Sequence, residues 1–79
     1  MQLFDEFYSY NIYMNIGKII RDLRKENNMS QTELAKELCT TQDTISLWEL
    51  GKSLPDAISI VKLAKFFGVS SDYLLGLED

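Results

Sequence analysis

From Asn15 onward, the apolar residues of this chain recur at intervals of three and four residues. That spacing places them on one face of successive helices, with polar residues on the other face. The predicted buried faces are, in chain order, Ile16, Ile19, Ile20 and Leu23; Leu34, Ala35 and Leu38; Ile45 and Trp48; Ile60, Leu63, Ala64 and Phe67; and Tyr73, Leu74 and Leu75. The pattern therefore predicts an all-α domain of five helices.

Residues that favour helix ends separate these faces. Ser30 and Glu33 have the spacing of a capping box, in which the side chain of each accepts a hydrogen bond from the backbone N–H of the other. The predicted helix starts are Ser30, Thr41, Pro55-Asp56 and Ser70, and the predicted ends are Asn27-Asn28, Gly51, Gly68 and Gly76. The second helix is thus expected to cover residues 31–38, and the third to stop before Gly51.

Residues 1–14 have a different pattern. Their apolar residues at positions 3, 4, 7 and 8 fit a helical face, whereas those at 8, 10, 12 and 14 alternate as in a strand. We therefore expect an aromatic-rich N-terminal arm at 1–14, either a short helix or an extended segment, and a separate domain at 15–79. The side chains of Phe4, Phe7, Tyr8 and Tyr10 are expected either to extend a dimer interface or to pack over the first and fifth helices.

The connection between the second and third helices is very short, because only Cys39-Thr40-Thr41 lies between them. So short a turn forces the helices to cross steeply, as in helix-turn-helix units, and Ala35 supplies the small residue that a close crossing needs. Ile45 and Trp48 turn inward. The outward residues of the third helix are then Gln42, Asp43, Ser46 and Leu47, with Thr44 at the margin.

The outward side chains of the third helix can contact the edges of DNA bases. The Gln42 amide can form two hydrogen bonds to adenine, and Thr44 and Leu47 can contact the methyl group of thymine. Asp43 can accept a hydrogen bond from cytosine N4, but a carboxylate in the first turn also stabilises the helix dipole by roughly 0.3–1 kcal/mol. For each residue the alternative is an ordinary solvated surface position.

Two further residues flank this helix and suit the DNA backbone. Gln31 carries an amide donor at the start of the second helix, where the free N–H groups also favour a phosphate. Lys52 follows the third helix and can reach the same strand. The alternative for both is again a solvated surface position.

The composition argues against catalysis and against a metal site. The 79 residues include no histidine and one cysteine, which removes the commonest general base and the usual ligands of zinc. No glycine-rich phosphate loop is present, so we expect no cofactor, no metal and no enzymatic activity. No apolar run reaches the roughly 18 residues of a membrane span, and the single cysteine fits a reducing cytoplasm.

The net charge of −4 limits what the chain can bind strongly. Lysine and arginine displace counterions from phosphates, so an acidic chain is not expected to bind DNA strongly without regard to sequence. A locally neutral or basic face remains compatible with this balance. We expect a moderate affinity for DNA that depends strongly on salt.

Residues 15–76 resemble the Cro/repressor, or XRE-like, helix-turn-helix family of phage and bacterial regulators. The matching residues are Gln31, Glu33, Leu34, Ala35, Thr41, Ile45, Trp48, Glu49, Gly51, Lys52, Pro55, Leu63-Ala64 and GVSSDYLLG at 68–76. The resemblance implies a five-helix lambda-repressor-like fold. It also implies a sequence-specific transcriptional regulator, of the phage or prophage repressor type, that binds a palindromic operator in double-stranded DNA as a homodimer.

The resemblance also implies roles for individual residues. Gln42, Asp43, Thr44 and Leu47 fall at base-facing positions, and Gln31 and Lys52 at backbone-contact positions. An ion pair between Arg24 and Glu49 would tie the recognition helix to the first helix. Cys39 departs from the family, which has glycine at the turn, and it would cost roughly 1–2 kcal/mol if its backbone were left-handed.

A second hypothesis is a helix-turn-helix module that binds another protein, as an antitoxin or a regulator accessory does, with little DNA affinity. The acidic balance and the aromatic arm favour it. Because the sequence stops shortly after the fifth helix, we expect no ligand-binding domain and no small-molecule effector.

Overall fold

The computed structural model describes the backbone of residues 6–77 and the side chains of residues 16–77. The described residues form five helices: α1 (Glu6–Glu26), α2 (Gln31–Glu37), α3 (Gln42–Glu49), α4 (Ala57–Phe67) and α5 (Ser71–Leu74). No strand occurs among them. The predicted all-α, five-helix fold is confirmed.

The first helix is longer than its apolar pattern predicted. It was expected to begin near Asn15, but α1 begins at Glu6 and runs without interruption to Glu26. Extending a formed helix needs no new nucleus, and no proline or glycine stands between Glu6 and Asn15 to stop it. The helical alternative for the N-terminal arm therefore holds from Glu6 onward.

Two expectations about the N-terminus lie outside the described residues. They are the placement of the first five residues, Phe4 among them, and the packing of the aromatic side chains up to residue 15. The division between an arm at 1–14 and a domain at 15–79 stays a prediction.

The N-caps of α2, α3, α4 and α5 are the predicted residues. Ser30 Oγ accepts a hydrogen bond from Glu33 N at 3.0 Å, and Glu33 Oε1 accepts one from Ser30 N at 2.8 Å, which completes the capping box. Thr41, Asp56 and Ser70 cap α3, α4 and α5 in the same way, by accepting from the backbone N–H three residues later. These caps satisfy N–H groups that the first turn of a helix leaves without a partner.

All five helices end with a residue in the left-handed conformation. These residues are Asn28, Cys39, Gly51, Gly68 and Gly76. In each case the next residue donates its N–H to the carbonyl five positions earlier, as Thr40 does to Ala35 at 2.9 Å. Such bonds close the last turn and redirect the chain. The predicted helix ends are thus confirmed, and α2 stops at Glu37 with Leu38 as its C-cap.

The core lies behind α3. Its members are Ile16, Ile20, Leu23, Leu34, Ala35, Leu38, Ile45, Trp48, Leu63 and Leu74. Helices α1 and α2 both pack against α3, whereas α4 packs mainly with α5. This arrangement fixes α3 from two sides and leaves its remaining face to solvent. Within the part of the chain that the structure describes, no helix combines the length and the hydropathy of a membrane span.

Candidate nucleic-acid interface

The outer face of α3 is open to solvent and carries the predicted base-contacting residues. Gln42 and Asp43 are exposed, Thr44 is half-buried, and Leu47 is 42% exposed. On the opposite face of α3, the inward-facing residues are sealed into the core. The helix therefore presents one polar edge with a single large apolar side chain on it.

Hydrogen bonds join Gln42 to the start of α2. Gln42 Nε2 donates to Gln31 Oε1 at 2.6 Å, and Gln31 Nε2 donates to Glu49 Oε1 at 3.0 Å. The side chain predicted to contact a base is thus held by the one predicted to contact a phosphate. In this relay of hydrogen bonds from Gln42 through Gln31 to Glu49, the Gln42 amide donates and the Gln31 amide both accepts and donates. These bonds limit the rotamers that the two side chains can adopt.

The relay ends at a two-point contact between Arg24 and Glu49. Arg24 Nε donates to Glu49 Oε2 at 2.7 Å and Arg24 Nη2 donates to Glu49 Oε1 at 2.9 Å. Arg24 Nη1 also donates to the backbone carbonyl of Met29 at 2.8 Å. The two ionised side chains are only 11% and 4% exposed, so solvent screens the pair weakly. The pair fastens the last turn of α3 to the last turns of α1.

The same contacts set the protonation of both groups. The hydrogen bond to Glu49 raises the pKa of Arg24 above its ordinary value. Burial acts to raise the pKa of Glu49, but the hydrogen bonds from Arg24 and Gln31, with the positive charge of Arg24, outweigh it and lower that pKa. Glu49 is therefore ionised throughout the neutral range and stays an acceptor for both partners.

The Thr44 hydroxyl is already engaged within the protein. Its Oγ1 lies 2.9 Å from Thr41 Oγ1, and Thr41 Oγ1 also accepts from Thr44 N at 3.2 Å. This hydrogen bond orients the Thr44 side chain, whose methyl group can contact a thymine methyl while the hydroxyl keeps further hydrogen-bonding capacity.

Asp43 and Lys52 lie at opposite ends of α3. Asp43 is an exposed carboxylate in the first turn, where the helix dipole stabilises it. Lys52 follows the helix, and its backbone N–H donates to the Leu47 carbonyl at 2.9 Å. That bond fixes the base of the Lys52 side chain relative to α3, while the side chain itself is exposed.

The outward surface of α2 and α3 is not basic. Glu33, Glu37 and Asp43 are exposed there, against Lys36 and Lys52. Attraction to phosphate is therefore weak at this surface, and directed hydrogen bonds must contribute more to any binding.

Among the described residues, two side-chain hydrogen-bond contacts between helices were not predicted from the sequence. One is the relay through Gln31, which needs the first residues of α2 and α3 to be adjacent in space. The signal in the sequence was a glutamine directly after each N-cap, at Gln31 and Gln42. The other is the bond from Lys62 Nζ to the Leu38 carbonyl at 3.2 Å, which caps the end of α2 from α4.

Comparison with known proteins gives one consistent family. The model of a family described as helix-turn-helix matches residues 20–74. The chain is 36% identical over 66 residues to the HTH-type transcriptional activator BcrR of Enterococcus faecalis, a match covering 84% of this chain and 32% of that protein. It is 32% identical over 66 residues to the HTH-type transcriptional regulator ImmR of Bacillus subtilis, covering 84% and 52%. The chain thus spans about a third of the length of the first of these curated relatives and about half of the second.

Among solved structures, the fold is similar to that of the P22 c2 repressor protein in complex with a synthetic operator. The TM-score is 0.75 and the sequence identity 32%, and the match covers 80% of this chain and 96% of that one.

Proposed function

The chain belongs to the helix-turn-helix family, and from that premise we propose that it is a sequence-specific DNA-binding transcriptional regulator. The observation that carries the proposal is the solvent-facing edge of α3, on which a hydrogen-bonded Gln42 amide stands beside Thr44 and Leu47. A helix of this kind fits the major groove of DNA, where base edges are exposed.

Gln42 is the residue best prepared to read a base. Its Nε2 carries two hydrogens, of which one goes to Gln31. The other hydrogen and Oε1 together match the acceptor N7 and the donor N6 of adenine. The Gln31 bond orients the amide before DNA arrives, so less conformational freedom is lost on binding.

The remaining contacts follow from position. Thr44 and Leu47 offer apolar groups to thymine methyls, and Asp43 can accept from cytosine N4. Gln31, which is bonded to Gln42, and Lys52, which follows α3, are proposed to contact phosphates of the same strand. Because the surrounding surface is acidic, we expect moderate affinity that falls steeply with salt.

Repression as a homodimer is the form of regulation we propose. The P22 c2 relative is named a repressor and was crystallised with an operator, which supports this choice. A dimer would place two α3 helices about 34 Å apart, one turn of duplex, and so would read a palindrome. The protein would act in the cytoplasm, without enzymatic activity or cofactor.

Binding to random duplex at low salt tests the proposal. Fluorescently labelled duplexes are titrated at about 50 mM salt, where phosphate contacts are strongest. A palindromic consensus is then selected from a random library. Binding followed by such a consensus supports a regulator, and absence of binding at low salt refutes it.

The N-terminal arm is proposed to add to the dimer. Because α1 already starts at Glu6, an aromatic segment there continues the helix and could cross to a second copy. Deleting residues 1–13 should shift the particle mass measured by light scattering from dimer to monomer. An unchanged dimer would show that the arm serves another purpose.

A second candidate is a module that binds a protein instead of DNA. The net charge of −4 and the exposed acids of α2 and α3 favour it, because they suit a basic protein surface better than phosphate. The same titration separates the two candidates, since a protein-binding module would leave random duplex unbound.

A further inference from the structure

Gly17 lies on α1 at the point where this helix meets the end of α3. It is buried, and a Cβ added there would come 2.3 Å from the Trp48 carbonyl oxygen. The same Cβ would lie 3.0 Å from the Glu49 oxygen and 3.2 Å from the Glu49 carbonyl carbon. All three atoms are backbone atoms of the last turn of α3. Two helices therefore approach here more closely than any residue with a side chain would allow.

No side-chain rearrangement could make room for a Cβ at Gly17. Ordinary contacts between carbon and carbonyl oxygen lie at about 3.3–3.6 Å, so the backbones would have to separate by about 1 Å. The required shift exceeds the about 0.5 Å within which a recognition surface must be held. Because α2 also packs against α3, the displacement would tilt α3 between its two supports rather than move the whole domain.

A second contact lies on the same face of α1. Arg24 follows Gly17 by two helical turns and holds the Glu49 carboxylate. Gly17 thus sets how closely α3 approaches α1, and Arg24 fixes the end of α3 at that separation. These two contacts lie on the side of α3 that faces α1, and together they determine the orientation of the outer edge with Gln42 and Leu47.

We propose that Gly17 is a positioning residue for sequence-specific recognition. Because it has no side chain, α3 packs closely against α1, and this packing sets the orientation of the base-contacting side chains. The proposal rests on the DNA-binding function proposed above. It assigns to α1 a part in specificity, although Gly17 touches no DNA.

Trp48 offers a measurement that does not depend on DNA. It is the chain's single tryptophan, it is 5% exposed, and its carbonyl is the atom nearest to the added Cβ. In Gly17→Ala we expect the emission of Trp48 to shift to longer wavelength, because water reaches the indole when α3 moves away. The matched control is Gly68→Ala, since Gly68 has a φ of 68° but no atom within 4 Å of the added Cβ. That variant should lose stability through strain and keep the wild-type emission.

DNA titrations then test the link to specificity. For Gly17→Ala we expect the ratio of specific to random-duplex affinity to fall at least about tenfold, the scale of one good base contact. The affinity for random duplex at low salt should change less than about twofold, because phosphate contacts depend more on charge than on the orientation of α3. Under conditions in which Gly68→Ala is folded, it should keep the wild-type ratio of specific to random-duplex affinity. A merely structural role of Gly17 would lower stability without changing this ratio.

The measurements are made at low temperature with sucrose, which favours the folded state. A folded Gly17→Ala with wild-type Trp48 emission and an unchanged affinity ratio overturns the proposal. So does a variant that stays unfolded under these conditions, because Gly17 would then be a requirement for folding. If the wild-type chain binds no DNA, the proposed function fails, and the positioning of α3 is still decided by Trp48.

Discussion

At the scale of single residues, the side chains proposed to contact DNA bases differ in how they are held. Gln42 is bonded to Gln31, and Thr44 is bonded to its N-cap. The side chains of Asp43 and Leu47 are exposed on the same edge of α3. Residues held before binding lose less freedom when they meet DNA, so we expect Gln42 to contribute most to base preference.

Replacing Gln42 and Lys52 by alanine should have different effects on DNA binding. Gln42→Ala should remove about 1–3 kcal/mol of discrimination at one base pair, because a bidentate amide contact is lost. Lys52→Ala should weaken all duplexes alike and reduce the salt slope by about 1, as expected for one phosphate contact. Both are measured by titrating the consensus duplex and its single-base variants. A Gln42→Ala protein with unaltered base preference would contradict the role of Gln42.

For Cys39, the sequence left open whether the backbone at the turn is left-handed and strained or is adjusted to avoid the strain. Glycine is usual at this turn, and Cys39 does lie in the left-handed region, with φ 56°. The cost is backbone strain, because a Cβ approaches the following carbonyl in this conformation.

Cys39→Gly should therefore stabilise the domain. We expect the free energy of unfolding to rise by about 0.5–1 kcal/mol, since relief of about 1–2 kcal/mol of strain exceeds the added chain entropy of about 0.4–1 kcal/mol. Chemical denaturation measures the change. Cys39→Ala is the control, because it removes the thiol and keeps the strain; an equal gain in both variants would locate the effect in the thiol.

At the scale of helices, the ends were far easier to predict than the contacts between them. Ser30, Thr41 and Gly68 act on neighbours in sequence, so local pattern suffices. The Gln31–Gln42 bond and the close approach at Gly17 depend on how helices cross, which no local pattern encodes. The start of α1 was missed because two periodicities competed before Asn15, and extension of the existing helix decided between them.

The tie between α1 and α3 should be the most costly polar contact to break. Arg24→Ala leaves the Glu49 carboxylate, 4% exposed, without its charged partner. We expect the free energy of unfolding to fall by about 3 kcal/mol, as for a broken buried ion pair. Thermal and urea unfolding measure it. Arg24→Lys keeps the charge but loses the planar two-point geometry, and should recover only part of the loss. Full recovery would mean that charge alone is sufficient.

At the scale of the whole molecule, acid stability follows from where the carboxylates lie. The pKa values of Glu33, Glu49 and Asp56 are lowered in the folded state, in the first and last cases by hydrogen bonds from backbone N–H groups. Groups with lowered values stabilise the fold above their unfolded pKa, and this contribution is lost as pH falls through the folded value. The domain should therefore be stable at neutral pH and lose stability in acid.

Glu49→Gln tests this predicted loss of stability in acid at a carboxylate whose side chain is only 4% exposed. We expect lower stability than the wild type at pH 7. We also expect a shallower loss of stability as pH falls below about 4.5, because the glutamine cannot take up the proton whose binding favours the unfolded state. Melting temperatures between pH 7 and pH 3 measure both effects. Glu37→Gln, on the exposed side of α2, controls for the loss of one negative charge. Parallel curves for Glu49→Gln and the wild type would contradict the assignment.

The relay from Gln42 through Gln31 and Glu49 to Arg24 joins residues of α1, α2 and α3, so the base preference proposed for Gln42 would depend on all three helices. Mutations at these four positions should be non-additive, because each removes the partner on which the next depends. Transplanting α3 alone into another scaffold would carry Gln42 without the amide that orients it. Redesign of base preference in this domain should therefore vary Gln31 and Gln42 together in one library.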